Sequence, residues 1–414
     1  MNSNTPTAQP LFLNPFRPGA GHTPPYLAGR TSEQETLRKL LKQRVVTQNM
    51  ILTGLRGSGK TVLLETFRPI GIQEGWLWVG TDLSESASLT EERMAVRILT
   101  DIALVSSSLV VRVERHQQAG FLNDERVIEH PLTYDVLLTR FQATPGLISD
   151  KLKATLEFVW SVLPQSAISG VVFAYDEAQN LADHVAKNEF PLSLLLEVFQ
   201  SLQRKNIPFM LVLTGLPTLS GKLVEARTYS ERMFHIVFLK PLDPIATNEA
   251  ITTPTRQPGF PLRFSEAVTN RISTMSGGYP YFIQFICKEV FDAWITKINN
   301  GDVPSVPEAE ILAKLDSDFF QARWTNASDR QRQLLQVIST LPNSAAEFTV
   351  SEIVTASREG LIKGFSASHV NQMLASLANS GLVYKNRHGK YSLAVPLLSQ
   401  FILRQTYQDS RLAR

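Results

Sequence analysis

The stretch GLRGSGKT at 54–61 constrains this chain more than any other, because it stands between the apolar run NMILTG and the amphipathic run KTVLLETF. Gly54, Gly59, Lys60 and Thr61 fit the spacing G-x-x-x-x-G-K-[ST], with Gly57 as a further glycine. Backbone amides of such a loop wrap phosphates while the chain turns from a strand into a helix N-terminus. The chain is therefore expected to hold ATP. The candidate nucleotide contacts in the loop are Gly54, Leu55, Arg56, Gly57, Ser58, Gly59, Lys60, Thr61 and Val62. Lys60 is expected on the β and γ phosphates, and Thr61 on Mg²⁺ through its hydroxyl.

A second run, VVFAYDEAQ, supplies the other half of the chemistry. Its apolar residues end in Asp176 and Glu177, which places both carboxylates at the C-terminal edge of a buried strand, where open parallel sheets bind their ligands. Asp176 is expected to hold Mg²⁺, directly or through water, and Glu177 to deprotonate the attacking water. The bland alternative is an acidic pair at the start of the next helix.

Further apolar runs, GWLWVGTDL, IPFMLVLTGLP and MFHIVFLKPL, alternate with helical patterns such as PLSLLLEVFQSLQRK. That alternation predicts an α/β fold with a parallel sheet covered by helices on both faces. Residues 90–113 read as helical and the polar stretch after them as a loop. After Pro241 the strand-like runs stop and a helical region follows. The expected organisation is an extended arm over 1–29, a P-loop core over 30–240, a helical lid over 241–325 and a third unit over 326–414.

With 414 residues, 43% of them hydrophobic, the chain has ample apolar surface for two or three cores. It has no apolar run long enough to span a bilayer and no basic-then-apolar leader, so a soluble cytoplasmic protein is expected. Its single cysteine, Cys287, excludes an internal disulfide and a cysteine-based metal site. A formal net charge of +3 permits a polyanionic partner without demanding one.

The motifs LAGR, GLRGSGKT, YDEAQ, LTGLP, YSERMF and SGGYP, in that order, resemble those of the AAA+ ATPases, within the group related to archaeal and eukaryotic replication initiators. The resemblance implies a P-loop core, a helical lid, ATP hydrolysis with Mg²⁺ and self-assembly into a homo-oligomer. It implies that Gly29 and Arg30 lie near the adenine and that Thr214 takes the sensor position facing the γ phosphate. It also implies an arginine finger at Arg232, for which Arg227 competes. Many relatives place Asn where this chain has Thr214. The lid departs further, because the initiators usually offer an arginine there and this chain has Tyr279 and Pro280 after two glycines. The pattern Gly278 to Pro280 is similar to the lid of the STAND signalling ATPases, which places Pro280 near the base. That similarity implies a second reading, a nucleotide-gated switch or scaffold that recruits a protein effector, as in antiviral defence or transposition.

From Asn326 onward, three helical patterns, DRQRQLLQVISTL, TVSEIVTAS and SASHVNQMLASLANSG, precede two alternating segments around the turn RHG. Three helices and a hairpin predict a winged helix-turn-helix. This region carries ten basic and five acidic residues, a net of about +5. Double-stranded DNA is the expected partner, with Lys385, Arg387, His388 and Lys390 on the hairpin as its contacts. The third helix offers Ser366, Ser368, His369, Asn371 and Gln372 but no Lys or Arg, which predicts backbone reading over strong guanine recognition.

Overall fold

The computed structural model describes residues 13–412 except 20, 44, 108–109, 118–124, 164–166, 257–259, 261, 300–304, 343, 345–346, 360–363 and 388. The chain divides into two compact units, one of Thr31–Gly54 and Lys60–Leu239, the other of Met1–Arg30, Leu55–Gly59 and Lys240–Arg414.

The first unit is built on strands β1 (Asn49–Gly54), β2 (Trp76–Val79), β5 (Gly170–Tyr175), β6 (Phe209–Gly215) and β7 (Phe234–Leu239). They form one parallel sheet in the order β2-β5-β6-β1-β7. Side chains alternate between the faces of a strand, and here both faces are covered. Ile51, Phe173, Leu211 and Leu213 pack with the helices Glu91–Ser106, Ile148–Val162 and Pro191–Arg204. Met50, Leu52, Val172 and Met210 pack with the helices Thr31–Leu41 and Lys60–Gln73. Double coverage explains why these strands read as unbroken apolar runs. The strand order puts β6 between β1, which feeds the glycine-rich loop, and β5, which ends at the acidic pair.

One segment departs from the sequence reading. The helix Glu91–Ser106 stops early, and β3 (Val110–Gln117) pairs antiparallel with β4 (Glu125–Pro131) as a separate hairpin. Three successive serines, 106–108, disfavour helix continuation, and the β-branched run VVRV that follows favours an extended chain.

The second unit is mainly helical. The helices Pro244–Thr252, Glu266–Ser276, Pro280–Asn299 and Glu308–Leu315 lead through a short π-helical turn, Asp316–Gln321, into Ala322–Thr325. The helices Asp329–Thr340, Val350–Glu359, Ala367–Asn379 and Leu398–Leu412 follow. They are joined by a three-stranded antiparallel sheet of β8 (Phe348–Thr349), β9 (Val383–Arg387) and β10 (Lys390–Leu393), in the order β8-β10-β9. Ala367–Asn379 buries Val370, Met373, Leu374 and Leu377 at helical spacing. Among the described residues of this unit one apolar core extends from Phe16 to Ile402 and crosses position 325 without a break. Phe320 stacks on Phe282 at 6.2 Å and on Phe401 at 5.2 Å, and so joins the helices before and after that position. The N-terminal segment is tied to the same core by Phe16, stacked on Phe264 at 5.9 Å, and by Asn14, whose amide donates to the Lys288 carbonyl at 2.9 Å. Cys287 is fully buried, and burial pushes its thiol well above the usual range. Among the described residues no helix is long and apolar enough to cross a membrane.

Candidate functional site

In the sheet unit, Gly54 ends β1 and Lys60 opens the helix Lys60–Gln73. The Lys60 ammonium donates to the Gly54 carbonyl at 3.1 Å. The first N–H groups of that helix have no intrahelical acceptor, which makes its start a place for an anion. Thr61 follows at once, and its hydroxyl donates to Asp176 Oδ2 at 2.5 Å. The other oxygen of Asp176 accepts the Glu177 N–H at 2.7 Å. Only 3% of Asp176 is exposed. Burial raises its pKa; the Thr61 and Glu177 N–H bonds oppose the rise, and the charges of Glu177 and Asp82 add to it. Glu177 is exposed, with its backbone in the left-handed region at φ 50°.

Thr214 stands at the C-terminal end of β6, in register with Leu52 of β1. It is fully buried, and among the described residues its hydroxyl has no hydrogen-bond partner. Leaving such a group unpaired costs about 1–3 kcal/mol, which a ligand oxygen or water would offset. The hydroxyl of Thr61 and the carboxylate of Asp176 are hard oxygen donors that suit Mg²⁺. Among the described residues no group of three or more His, Cys, Asp or Glu side chains could hold a metal. A magnesium ion at these two residues would complete its shell with phosphate oxygens and water.

In the helical unit, the loop residues Leu55–Gly59 have their own supports. Arg30 is 6% exposed, and its guanidinium donates to the carbonyls of Ser58 at 3.1 Å and Lys240 at 3.0 Å. Gly29 packs closely on Ala246. The Tyr281 N–H donates to the Gly57 carbonyl at 3.1 Å, and the Pro280 ring lies against Gly59. Ser58 is buried, and its hydroxyl has no hydrogen-bond partner among the described residues. Leu55 is half-buried and Arg56 exposed; in the sheet unit Val62 is half-buried.

Arg232 is exposed on the short helix Ser230–Met233, just before β7. Arg227 is engaged within the protein, 3.7 Å from Glu197 and bonded to the Ala226 carbonyl at 3.2 Å. Lys385 is exposed on β9 and Lys390 half-buried on β10. Arg387 ends β9; its side chain and all of His388 lie outside the described residues. Other basic groups of this region are committed inside the fold. Arg404 pairs with Asp316, Arg332 donates to the carbonyls of Trp324 and Thr325, and Arg330 lies 4.2 Å above the Phe365 ring. The charge available to phosphates is thus smaller than the sequence count suggests.

Sequence reading missed two features around the acidic pair. One is Gln179, whose amide lies against Glu177 and whose place as the last letter of YDEAQ was its only signal. The other is a buried group beneath the pair, in which Asp101 is fully buried, paired with Arg97 and close to the buried Tyr175. The Asp101 pKa is raised by burial and opposed by Arg97.

A family model described as a domain of unknown function (DUF8462) matches residues 317–402. No match is found among the curated proteins. Among solved structures the chain is similar to a Walker-type ATPase of Pyrococcus abyssi, at 18% identity and a TM-score of 0.55, over 91% of this chain and 96% of that one. It is also similar to the ORC2 protein of Aeropyrum pernix. The ADPNP–ADP complexes give 12% identity, a TM-score of 0.51 and coverage of 96% and 98%; the ADP form gives 13%, 0.52, 94% and 97%. At these identities the likeness establishes the fold, a parallel five-stranded sheet between helices shared with that Walker-type ATPase.

Proposed function

We propose that this AAA+ chain binds and hydrolyses ATP, and that the nucleotide controls its self-assembly and its hold on double-stranded DNA. The observation that carries the reading is the 2.5 Å bond between Thr61 at the start of the loop helix and Asp176 at the end of β5. It brings two sequence motifs 115 residues apart to one point. A magnesium ion bound at Thr61 and Asp176 would neutralise charge developing on the phosphates. Lys60 contacts the β and γ phosphates, and Glu177 takes the proton of the attacking water as its oxygen bonds to the γ phosphorus and the bond to the β-phosphate oxygen breaks. Thr214, on the strand between the two motifs, donates its unpaired hydroxyl to the γ phosphate. Arg232, exposed and without a bonded partner among the described residues, serves a neighbouring copy's nucleotide, while Arg227 stays with Glu197. Gly29 and Arg30 border the base, and Pro280 covers it.

The helices Asp329–Thr340, Val350–Glu359 and Ala367–Asn379 with the sheet β8-β10-β9 have the order of a winged helix. Lys385 and Lys390, with Arg387 and His388, hold the DNA backbone, and the uncharged exposed residues Ser368, Asn371 and Gln372 give weak sequence preference. The protein acts in the cytoplasm. The comparisons support the nucleotide half, since the Pyrococcus protein is described as an ATPase and ORC2 was captured with ADP. Glu177→Gln is expected to abolish hydrolysis and leave ATP binding intact. Duplex DNA is expected to shift in a gel with ATP, less so at higher salt. Equal turnover in Glu177→Gln and wild type refutes the catalytic reading; absent or salt-insensitive binding refutes the DNA reading.

One observation favours a second reading. Tyr281 and Pro280, which follow Gly278, contact the loop at Gly57 and Gly59, and such contacts would couple a nucleotide held by the loop to the helix Pro280–Asn299, as in a nucleotide-gated switch that recruits a protein effector. Nucleotide that copurifies and exchanges over hours, with hydrolysis of about one turnover, would favour it.

A further inference from the structure

The residues around Glu177 contain a device that the nucleotide site as described does not use. Glu177 is exposed, and an exposed glutamate samples several rotamers unless something holds it. Here the Gln179 side-chain amide donates to the Glu177 carboxylate. The oxygen of the same amide accepts the Leu216 N–H at 3.0 Å. Leu216 lies two residues beyond Thr214, so one side chain ties the acidic pair to the end of the neighbouring strand. The backbone beneath it is fixed as well. The Lys222 ammonium donates to the Gln179 carbonyl at 2.5 Å, the Asn180 amide donates to the Leu83 carbonyl at 2.8 Å, and Ser88 donates to the Asn180 carbonyl at 2.6 Å. Gly215 leaves room for the bridge: a Cβ there would stand 2.9 Å from the Gln179 side-chain oxygen and 3.2 Å from its backbone nitrogen.

We propose that Gln179 is a positioning residue for hydrolysis: its amide holds the Glu177 carboxylate in one orientation and takes that orientation from the end of β6. The inference rests on the proposed role of Glu177 as general base. Movement of the β6 end, where Thr214 meets the γ phosphate, is thereby transmitted to the base through a single side chain. The two bonds can be separated chemically. Glutamate at 179 keeps an oxygen for the Leu216 N–H but replaces the donor to Glu177 with a like charge; methionine removes both bonds at similar volume.

The test uses the full-length protein, with steady-state ATP hydrolysis, ATP affinity and thermal unfolding measured for wild type, Gln179→Glu, Gln179→Met and Glu177→Gln. Both Gln179 variants are expected to lose about tenfold or more in kcat, with KM within twofold and unfolding unchanged for Gln179→Glu. Wild-type turnover in Gln179→Glu overturns the inference, because it would leave Gln179 only the structural bond to Leu216. Parallel losses of ATP affinity and thermal stability in both variants overturn it too. If wild type does not hydrolyse ATP, or Glu177→Gln hydrolyses it normally, the general-base role falls and the inference with it; if only the Gln179 variants behave like wild type, the general-base role stands.

Discussion

Two alanine substitutions in the glycine-rich loop are expected to differ in cost, and the difference follows from the first residues of the helix Pro280–Asn299 beside them. Gly57 has φ +79° and Gly59 φ +88°, a region where an L side chain costs about 1–2 kcal/mol. For Gly59 the cost stops there, since an added Cβ would meet Pro280 at 3.8 Å, an ordinary contact. For Gly57 the Cβ would lie 3.0 Å from the Tyr281 Cβ, closer than carbon atoms pack. Tyr281 cannot retreat cheaply, because its N–H is bonded to the Gly57 carbonyl. Overpacking of this kind adds about 1–3 kcal/mol. Gly57→Ala should therefore cost roughly 2–5 kcal/mol and Gly59→Ala roughly 1–2 kcal/mol. The assay is urea unfolding without nucleotide, so that phosphate binding does not enter, with midpoints converted through the slope. If Gly59→Ala is as damaging as Gly57→Ala, the argument from the Tyr281 contact is wrong.

Arg30→Met removes two hydrogen bonds from a buried cation, each worth about 1.5–3 kcal/mol, and should weaken ATP binding at least tenfold while lowering the urea midpoint. Asp176→Asn should abolish hydrolysis yet stabilise the nucleotide-free protein by about 0.5–2 kcal/mol at neutral pH. Burial raises the folded pKa of Asp176 above its unfolded value, so the penalty on the wild type is full above the folded pKa and gone below the unfolded one. The stability gap between the two proteins should accordingly close as pH falls through that window, and a gap that widens would contradict the sign. Phe320→Ala, at a fully buried ring stacked on Phe282 and Phe401, should cost about 3–5 kcal/mol. Proteolysis or hydrogen exchange should then show the helices on either side of position 325 loosening together.

The loop at 54–61 and the strand leading into Asp176 were legible in the sequence because each is a local pattern. An apolar run sets a buried strand, and the residue types that follow it set the chemistry at its end. The helices after position 328 and the hairpin β9–β10 were legible in outline, through three helical periods and a turn, but β8 is two residues long and carries no periodicity of its own. The hairpin β3–β4 was misread because a run rich in Val and Leu fits either a helix or a strand until its neighbours are known. The charge count after Asn326 did not show which side chains are held inside the fold, since Arg404 pairs with Asp316, Arg332 bonds to the Trp324 carbonyl and Arg330 lies over the Phe365 ring, partners which only folding brings near.

The sequence by itself determined the glycine-rich loop, the acidic pair and the parallel sheet that carries them, because those depend on residue type and spacing within a few turns of chain. Tertiary structure alone decided that β6 lies between β1 and β5, that Thr61 reaches Asp176, that Arg30 is a buried brace for Ser58, and that Gln179 spans Glu177 and Leu216. Strand order and side-chain partners are set by which apolar faces bury one another across the whole unit, and no single segment records that choice.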